Sequence, residues 1–244
     1  MFGLEPAALA LIAAIALGGG VVRGLAGFGM AILLVPVAAL TMPPAEAVAL
    51  SNLLGLLIGL TEIRRIIANA ERTARLIAVV AVATTPLGMV AIAALVPDIA
   101  RLLLALIATA AFVAVLLPQR PPHPPGMVAT GLVGVASGLL NGFAGMPGPP
   151  VAPYYLGRRI PPMVARASMM LIFLATSACG IGTGLVLGVA DHRTLLLGLV
   201  LFPAVLLGNW LGGHAFGRVG PLVWRGFTAV VLAGAAISAG LKVL

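Results

Sequence analysis

Charge is what this sequence has least of. Asp, Glu, Lys and Arg make up 8% of its 244 residues, against about a quarter in an ordinary soluble domain. With 61% of residues hydrophobic and a mean hydropathy of +1.20, no folded surface of this composition could be kept in water. A soluble enzyme or binding module is excluded, and the chain belongs in a bilayer. Cysteine occurs once, at Cys179. That excludes an internal disulfide and leaves no cysteine cluster for a metal; no cofactor is expected. Alternating ten-residue strands are missing, which argues against a β-barrel. The opening "MFGLEPAALA" has no basic n-region and no clear cleavage site, so it is not read as a removed signal peptide. G-x-S-x-G, H-E-x-x-H and paired mid-membrane carboxylates are missing too, which disfavours an intramembrane enzyme. A proton-driven mechanism lacks an obvious buried Asp or Glu.

What is present is long apolar sequence rich in Ala, Leu, Val and Ile, so an all-α membrane protein is expected. Six stretches are long enough, or nearly so, to cross: 45–63, 76–95, 102–117, 163–187, 194–213 and 222–241. Two other apolar regions are interrupted. Residues 7–40 carry Gly18-Gly19-Gly20, "VVRGLAGFGM" and Pro36, and residues 127–156 carry "NGFAGMPGPP". Both read as broken-helix hairpins of two short arms whose ends emerge on one side.

The positive charges test that reading. If each hairpin returns to its own side, one face receives Arg64, Arg65, Arg72, Arg75, Arg120, Arg158, Arg159, Arg166, Arg218 and Arg225. The other receives Arg101, Arg193 and Lys242. The rich face is expected to be cytoplasmic, with the linker 118–126, and the N-terminus extracytoplasmic. Most of the formal charge of +8 is explained this way, and nucleic acid is not an expected partner. Parity does not separate re-entrant loops from paired full spans.

The chain nearly repeats itself. At an offset of 117, Pro36 matches Pro153, Pro44 matches Pro161, Ser51 matches Ser168, Pro86 matches Pro203 and Arg101 matches Arg218. In the hairpins the offset is 118, where "GLAG" meets "GFAG". "PQRPPHPPG", residues 118–126, reads as a proline-rich linker between a first repeat, 1–117, and a second, 127–244. Each repeat is then one hairpin plus three transmembrane helices. Three crossings are an odd number, so the second repeat is expected upside down. Inverted-topology repeats of this kind place a substrate site where broken helices meet near the midplane of a secondary transporter.

The chemistry of the interruptions points to an anion. A helix break frees backbone N–H groups, a helix N-terminus carries partial positive charge, and glycine lets backbone approach a ligand. Arg23 adds a full charge and a planar fork, at roughly 2.5–3.5 kcal/mol for a charge at bilayer depth. Its alternatives are snorkelling to the interface or capping the carbonyls of a broken helix. The glycines have the alternative of close helix packing. The candidate substrate-binding residues are Arg23, Gly24, Gly27, Phe28, Gly29, Ser51 and Asn52 in the first half. In the second they are Asn141, Gly142, Gly145, Met146, Gly148, Arg166 and Ser168. Ser51, Asn52 and Ser168 read equally as helix–helix hydrogen-bonding residues, and Arg166 as a cytoplasmic anchor. Asp191-His192-Arg193 is a polar connection on the outer face.

"GLAGFGMAILLVP" (24–36) with "PPAEAVALSNLL" (43–54), and "GLLNGFAGMPGPPVAPYYL" (138–156) with "PPMVARASMM" (161–170), resemble the TauE/SafE family of sulfite exporters over essentially the whole chain. Many members carry a run of glycines in the second copy; here Met146, Pro147 and Pro149 occupy part of it. The resemblance implies a transporter of small sulfur-containing anions, sulfite or organosulfonates, in the plasma (inner) membrane. An anion channel on the same scaffold is the alternative. Nothing in the sequence speaks against a homodimer.

Overall fold

The computed structural model of the chain describes residues 5–116, 126–156, 158 and 160–215. The expected crossing at 222–241 and all but the last residue of the linker 118–126 lie outside the described residues. Among the described residues there are ten α-helices and no strand. Six of the helices are long and apolar enough to cross a membrane. In the first half the helices are α1 (Pro6–Ala26), α2 (Met30–Ala38), α3 (Pro44–Thr61), α4 (Ile63–Asn69), α5 (Arg72–Ala93) and α6 (Pro97–Leu116). In the second they are α7 (Met127–Ala144), α8 (Gly148–Leu156), α9 (Pro162–Val186) and α10 (His192–Ala215). Proline opens α1, α3 and α9, where its missing N–H costs nothing. Pro36, Pro86, Pro153 and Pro203, by contrast, sit inside α2, α5, α8 and α10.

The hairpins differ from the sequence reading in one respect. Their arms are unequal. The 21 residues of α1 rise ~31 Å and the 9 of α2 only ~14 Å; α7 and α8 repeat this with 18 and 9 residues. Gly18-Gly19-Gly20 does not break α1. The chain turns only at Gly27 (φ 84°) and Gly29 (φ 100°), and in the second hairpin at Gly145 (φ 67°), left-handed values that favour glycine.

Packing explains why the earlier glycines stay helical. Gly20 and Gly24 of α1 lie against the backbone of Gly208 and Gly212 of α10. A Cβ on Gly20 would come 2.6 Å from the Val205 carbonyl oxygen, and one on Gly24 would fall onto the Asn209 carbonyl oxygen. The second hairpin does the same. Gly138 and Gly142 of α7 leave no room for a Cβ against Ala81, Thr85 and Gly88 of α5. These are small-xxx-small interfaces, in which backbones approach closely because no side chain intervenes. Each long hairpin arm is thereby bound to a helix of the other half.

The same proximities give direction. Gly20 then Gly24 meet residues 205–209 then 209–213, so α1 and α10 run parallel. Gly134, Gly138 and Gly142 meet α5 in rising order, so α7 and α5 are parallel. Between α3 and α9 the order reverses. Asn52 meets Gly180, Gly55 meets Ser177 and Gly59 meets Leu174, which makes the central pair antiparallel. Glu46 and Leu53 of α3 meet Thr194 and Gly198 of α10 in rising order, so α3 runs with α10 and therefore with α1. The first hairpin returns the chain to the side from which α1 set out.

The interior holds two main apolar clusters: one has Leu33 and Leu34 of α2 with Leu50 and Leu54 of α3, and the other has Ala81 of α5, Tyr155 of α8 and Ile172 of α9, all fully buried. Helices α5, α6, α7 and α10 expose Val79, Leu87, Leu106, Val128, Leu132 and Leu199, apolar side chains suited to lipid.

The glycine interfaces make a direct prediction. Gly142→Val should destabilise the protein by about 3 kcal/mol through overpacking. Thermal unfolding in detergent should show a markedly lower midpoint, while Gly131→Ala, on the same helix with nothing within 4 Å of its Cβ position, should leave it unchanged.

Candidate functional site

The two hairpin turns face each other across the middle of α3 and α9. Between them lies a cavity of about 40 Å³ lined by Arg23, Phe28, Gly29 and Met30 to Ile32 from the first hairpin. Gly145 to Pro149 line it from the second, Ser51 and Gly55 from α3, and Phe173 and Ser177 from α9. Each wall follows from its local sequence. The left-handed Gly29 ends the turn and starts α2 with no side-chain cap, so the first-turn N–H groups of Met30, Ala31 and Ile32 are left over at the cavity wall. Gly145 puts its α-carbon against Ser51, where an added Cβ would sit 3.3 Å from Ser51 Oγ. Gly148 is closed off by Phe28 and Phe173. Ser137 of α7 donates to the Pro147 carbonyl at 2.9 Å, which fixes the second turn. Gly55 gives Ser177 its place, because a Cβ there would stand 2.6 Å from Ser177 Oγ.

Arg23 is the charged member. It lies in the last turn of α1 and is only 4% exposed. Its Nε is buried without a hydrogen-bond partner. Its charged neighbours are Glu62, which attracts it, and Arg166, which repels it. A guanidinium presents five donors in a fixed fork, and a buried one without an acceptor is costly. The cavity therefore combines a full positive charge, free backbone donors of a helix N-terminus and two hydroxyls, with an apolar lid of Phe28, Met146 and Phe173. That combination suits a compact oxyanion.

Of the residues singled out from sequence, Arg23, Phe28, Gly29, Ser51, Gly145, Met146 and Gly148 come together at this cavity. The others do not line it. Gly24 and Gly142 are packing glycines at the α1–α10 and α7–α5 contacts. Gly27 makes the turn itself, and its Cβ position is 3.2 Å from Arg166 Cγ. Asn52 donates to the Val48 carbonyl at 3.0 Å and packs on Gly180. Asn141 donates to the Thr176 carbonyl at 3.0 Å. In both amides Oδ1 is buried without a partner.

Ser168 accepts the Glu71 N–H at 3.0 Å, in a cluster where Glu71 pairs with Arg158 and receives the Thr73 hydroxyl. The register explains its position. Pro43 and Pro161 are equivalent N-caps, with ψ of 135° and 137°, which makes the offset 118 at these helices. In that register Ser51 aligns with Met169, and Ser168 falls on the neighbouring face. Met30, Ala31, Ile32, Gly55, Phe173 and Ser177 were not anticipated. Their only sequence signals were position after the break and, for Ser177, a hydroxyl about one helical half beyond Pro161.

Arg166 belongs to a second, larger space. A vestibule of about 790 Å³ is lined by Glu62 and Arg65, by Met163, Arg166 and Met170, and by Asn209, Trp210 and His214. Glu62 ends α3; its Oε2 is buried without a hydrogen-bond partner, as is Asn209 Oδ1. Arg23 lines the cavity and feels the charges of the vestibule, so it stands between the two spaces. On the opposite side, Asp191 accepts the Thr194 N–H at 2.9 Å, and the Thr194 hydroxyl donates to Glu46 at 3.0 Å. The Thr194 N–H holds the Asp191 carboxyl below the usual carboxylate range. This polar connection caps α10 and ties it to α3. No group of His, Cys, Asp and Glu able to hold a metal occurs among the described residues.

Comparison with known proteins agrees with this architecture. Residues 11–239 match the family model described as Sulfite exporter TauE/SafE. Searches of the curated proteins and of the solved structures give no match. A match over nearly the whole chain, on six apolar helices, identifies a multi-pass membrane protein that belongs to the TauE/SafE sulfite exporter family, a family of transporters and not of enzymes.

Proposed function

We propose that the chain is a secondary transporter that moves small sulfur-containing anions, sulfite or organosulfonates, across the plasma membrane by alternating access. The observation that carries this reading is Arg23, buried at 4% exposure with no hydrogen-bond partner on Nε, at a cavity walled by the free N-terminus of α2. An anion would supply the missing acceptor. The cavity volume of about 40 Å³ favours a compact oxyanion such as sulfite, and a longer sulfonate requires the hairpins to part.

The helix directions support two inverted-topology repeats, 1–117 and 127–244. α1, α3 and α10 run one way and α5, α7 and α9 the other. Exchanging α1 with α7, α3 with α9 and α10 with α5 carries the main packing partners onto one another. Such a pseudo-two-fold arrangement is what alternating access exploits. The side on which α3 ends, where α4 carries Arg65 and the start of α9 carries Arg166, is assigned to the cytoplasm by the excess of arginines there. The vestibule is then the cytoplasmic approach, and the N-terminus lies outside.

Purified protein in liposomes loaded with sulfite tests the assignment. Arg23→Gln and Arg23→Ala should lower sulfite flux by more than about 100-fold, as expected for a lost charge-assisted contact in a site screened from water. Unchanged flux would remove the site. Stimulation of efflux by sulfite on the far side is expected of a carrier, and steady single-channel currents would instead establish a pore.

The two serines separate cavity from scaffold. Ser51→Ala should weaken sulfite binding, measured by titration calorimetry, with little change in the unfolding midpoint. Ser168→Ala should cost about 1 kcal/mol of stability through the Glu71 N–H it leaves unpaired, with sulfite affinity unchanged.

A further inference from the structure

Among the described residues Glu62 is the one acidic side chain lining the vestibule, and the transport reading leaves it without a role. Its placement is unusual. It ends α3 and opens α4, is half-buried, and holds Oε2 away from solvent without a hydrogen-bond partner. It acts electrostatically on Arg23 at the cavity and on Arg166 in the vestibule. A carboxylate serving only solubility would sit in water, and one serving only structure would take the hydrogen bonds that buried carboxylates require. Glu62 does neither. It faces the same arginines that a transported anion would use.

We propose that Glu62 is a tethered competitor of the transported anion, setting how tightly the cavity binds it and how readily it leaves. This rests on the anion-transport reading above. With the cavity unoccupied, the Glu62 carboxylate balances the charge of Arg23 and Arg166. An arriving anion takes over that balance while Glu62 repels it, and release toward the vestibule restores the original balance of charge. A carrier requires this, because a substrate held by an uncompensated buried arginine would enter and not depart. The contribution is charge and not shape, so it should be lost in glutamine and kept in aspartate. Arg65, Arg166 and His214 line the same space and set the field in which Glu62 acts. Arg166 also leans on the Gly27 turn, which places the first hairpin within reach of the exchange.

The test uses the full-length protein in nanodiscs and liposomes, with sulfite as the probe. Glu62→Gln should bind sulfite about ten-fold more tightly in equilibrium titration, since one nearby negative charge is removed at intermediate dielectric. The maximal rate of sulfite efflux from liposomes should fall, because release becomes limiting, and Glu62→Asp should restore both values toward wild type. Affinity and rate moving in opposite directions is the signature that a merely structural role would not give. Equal or weaker sulfite binding in Glu62→Gln, with wild-type elution on size exclusion, overturns the proposal, as does failure of Glu62→Asp to recover the rate. If neither wild type nor Glu62→Gln binds sulfite or sulfate, the anion-transport reading itself fails, and this proposal with it.

Discussion

The structure depends on backbone meeting backbone where side chains are missing. At α1 against α10 and at α7 against α5, glycines let two helices approach so closely that a methyl group would collide with a main-chain oxygen. In lipid no hydrophobic force draws helices together, so such contact is a principal source of association. It fixes where each long hairpin arm ends relative to the other half. The two turns, at Gly27–Gly29 and at Gly145, are thereby held on opposite sides of the crossing of α3 and α9. The cavity is a consequence of that placement. Each turn is built in one half and positioned by a helix of the other, which couples the two halves mechanically.

Into this frame the chain sets one arginine whose Nε has no protein acceptor. Buried polar groups are ordinarily satisfied, and among the few exceptions in the described residues Arg23 Nε is the one that belongs to a cation. Capping of the α1 carbonyls would have supplied an explanation for it, and so would snorkelling to water. The first is not seen among the described residues: Arg23 Nε has no hydrogen-bond partner, and the C-cap is made by the Gly27 N–H on the Arg23 carbonyl at 2.7 Å. The second disagrees with an exposure of 4%. Arg23 Nε and Glu62 Oε2 are both buried without a hydrogen-bond partner, and it is on this pair of observations that the proposed anion site rests.

Composition alone made the membrane class legible, because an 8% charged chain has no other place to fold. The interruptions were legible as well, since only glycine and proline puncture an apolar run in this way. Which glycines turn and which pack was not. Gly19, Gly20 and Gly24 look like breaks in one dimension, and only the proximity of Met30 to Gly19 and of α10 to Gly20 and Gly24 makes them interface residues. The same limit applied to the serines. A constant offset of 117 aligned Ser51 with Ser168, whereas the Pro43 and Pro161 caps set the register at 118, and one residue turns a helix by about 100°. Glu62 was passed over because it lies at the end of an apolar stretch, where a carboxylate ordinarily meets solvent. Its importance arises from Arg23 and Arg166, which are distant in sequence and close in the fold.

The frame is nearly symmetric and its chemistry is not. In the 118-residue register Arg23 corresponds to Asn141, and Asn141 spends its amide on the Thr176 carbonyl at 3.0 Å. The N-terminus of α2 offers Met30, Ala31 and Ile32, all with N–H groups. That of α8 offers Gly148, Pro149 and Pro150, and the two prolines have no N–H to give. Donors are thus concentrated on the first hairpin and thinned on the second. A bound anion would sit toward α2 and Arg23, on the side that faces the vestibule, while the second hairpin contributes an apolar wall through Met146 and Pro147. An inverted pair with equal halves would hold its ligand equally from both sides. Unequal halves give the two openings different affinities, and a carrier that releases on one side needs that difference to come from its fixed residues. On the transport reading proposed above, those residues are Arg23, the bare prolines of α8 and the opposing charge of Glu62.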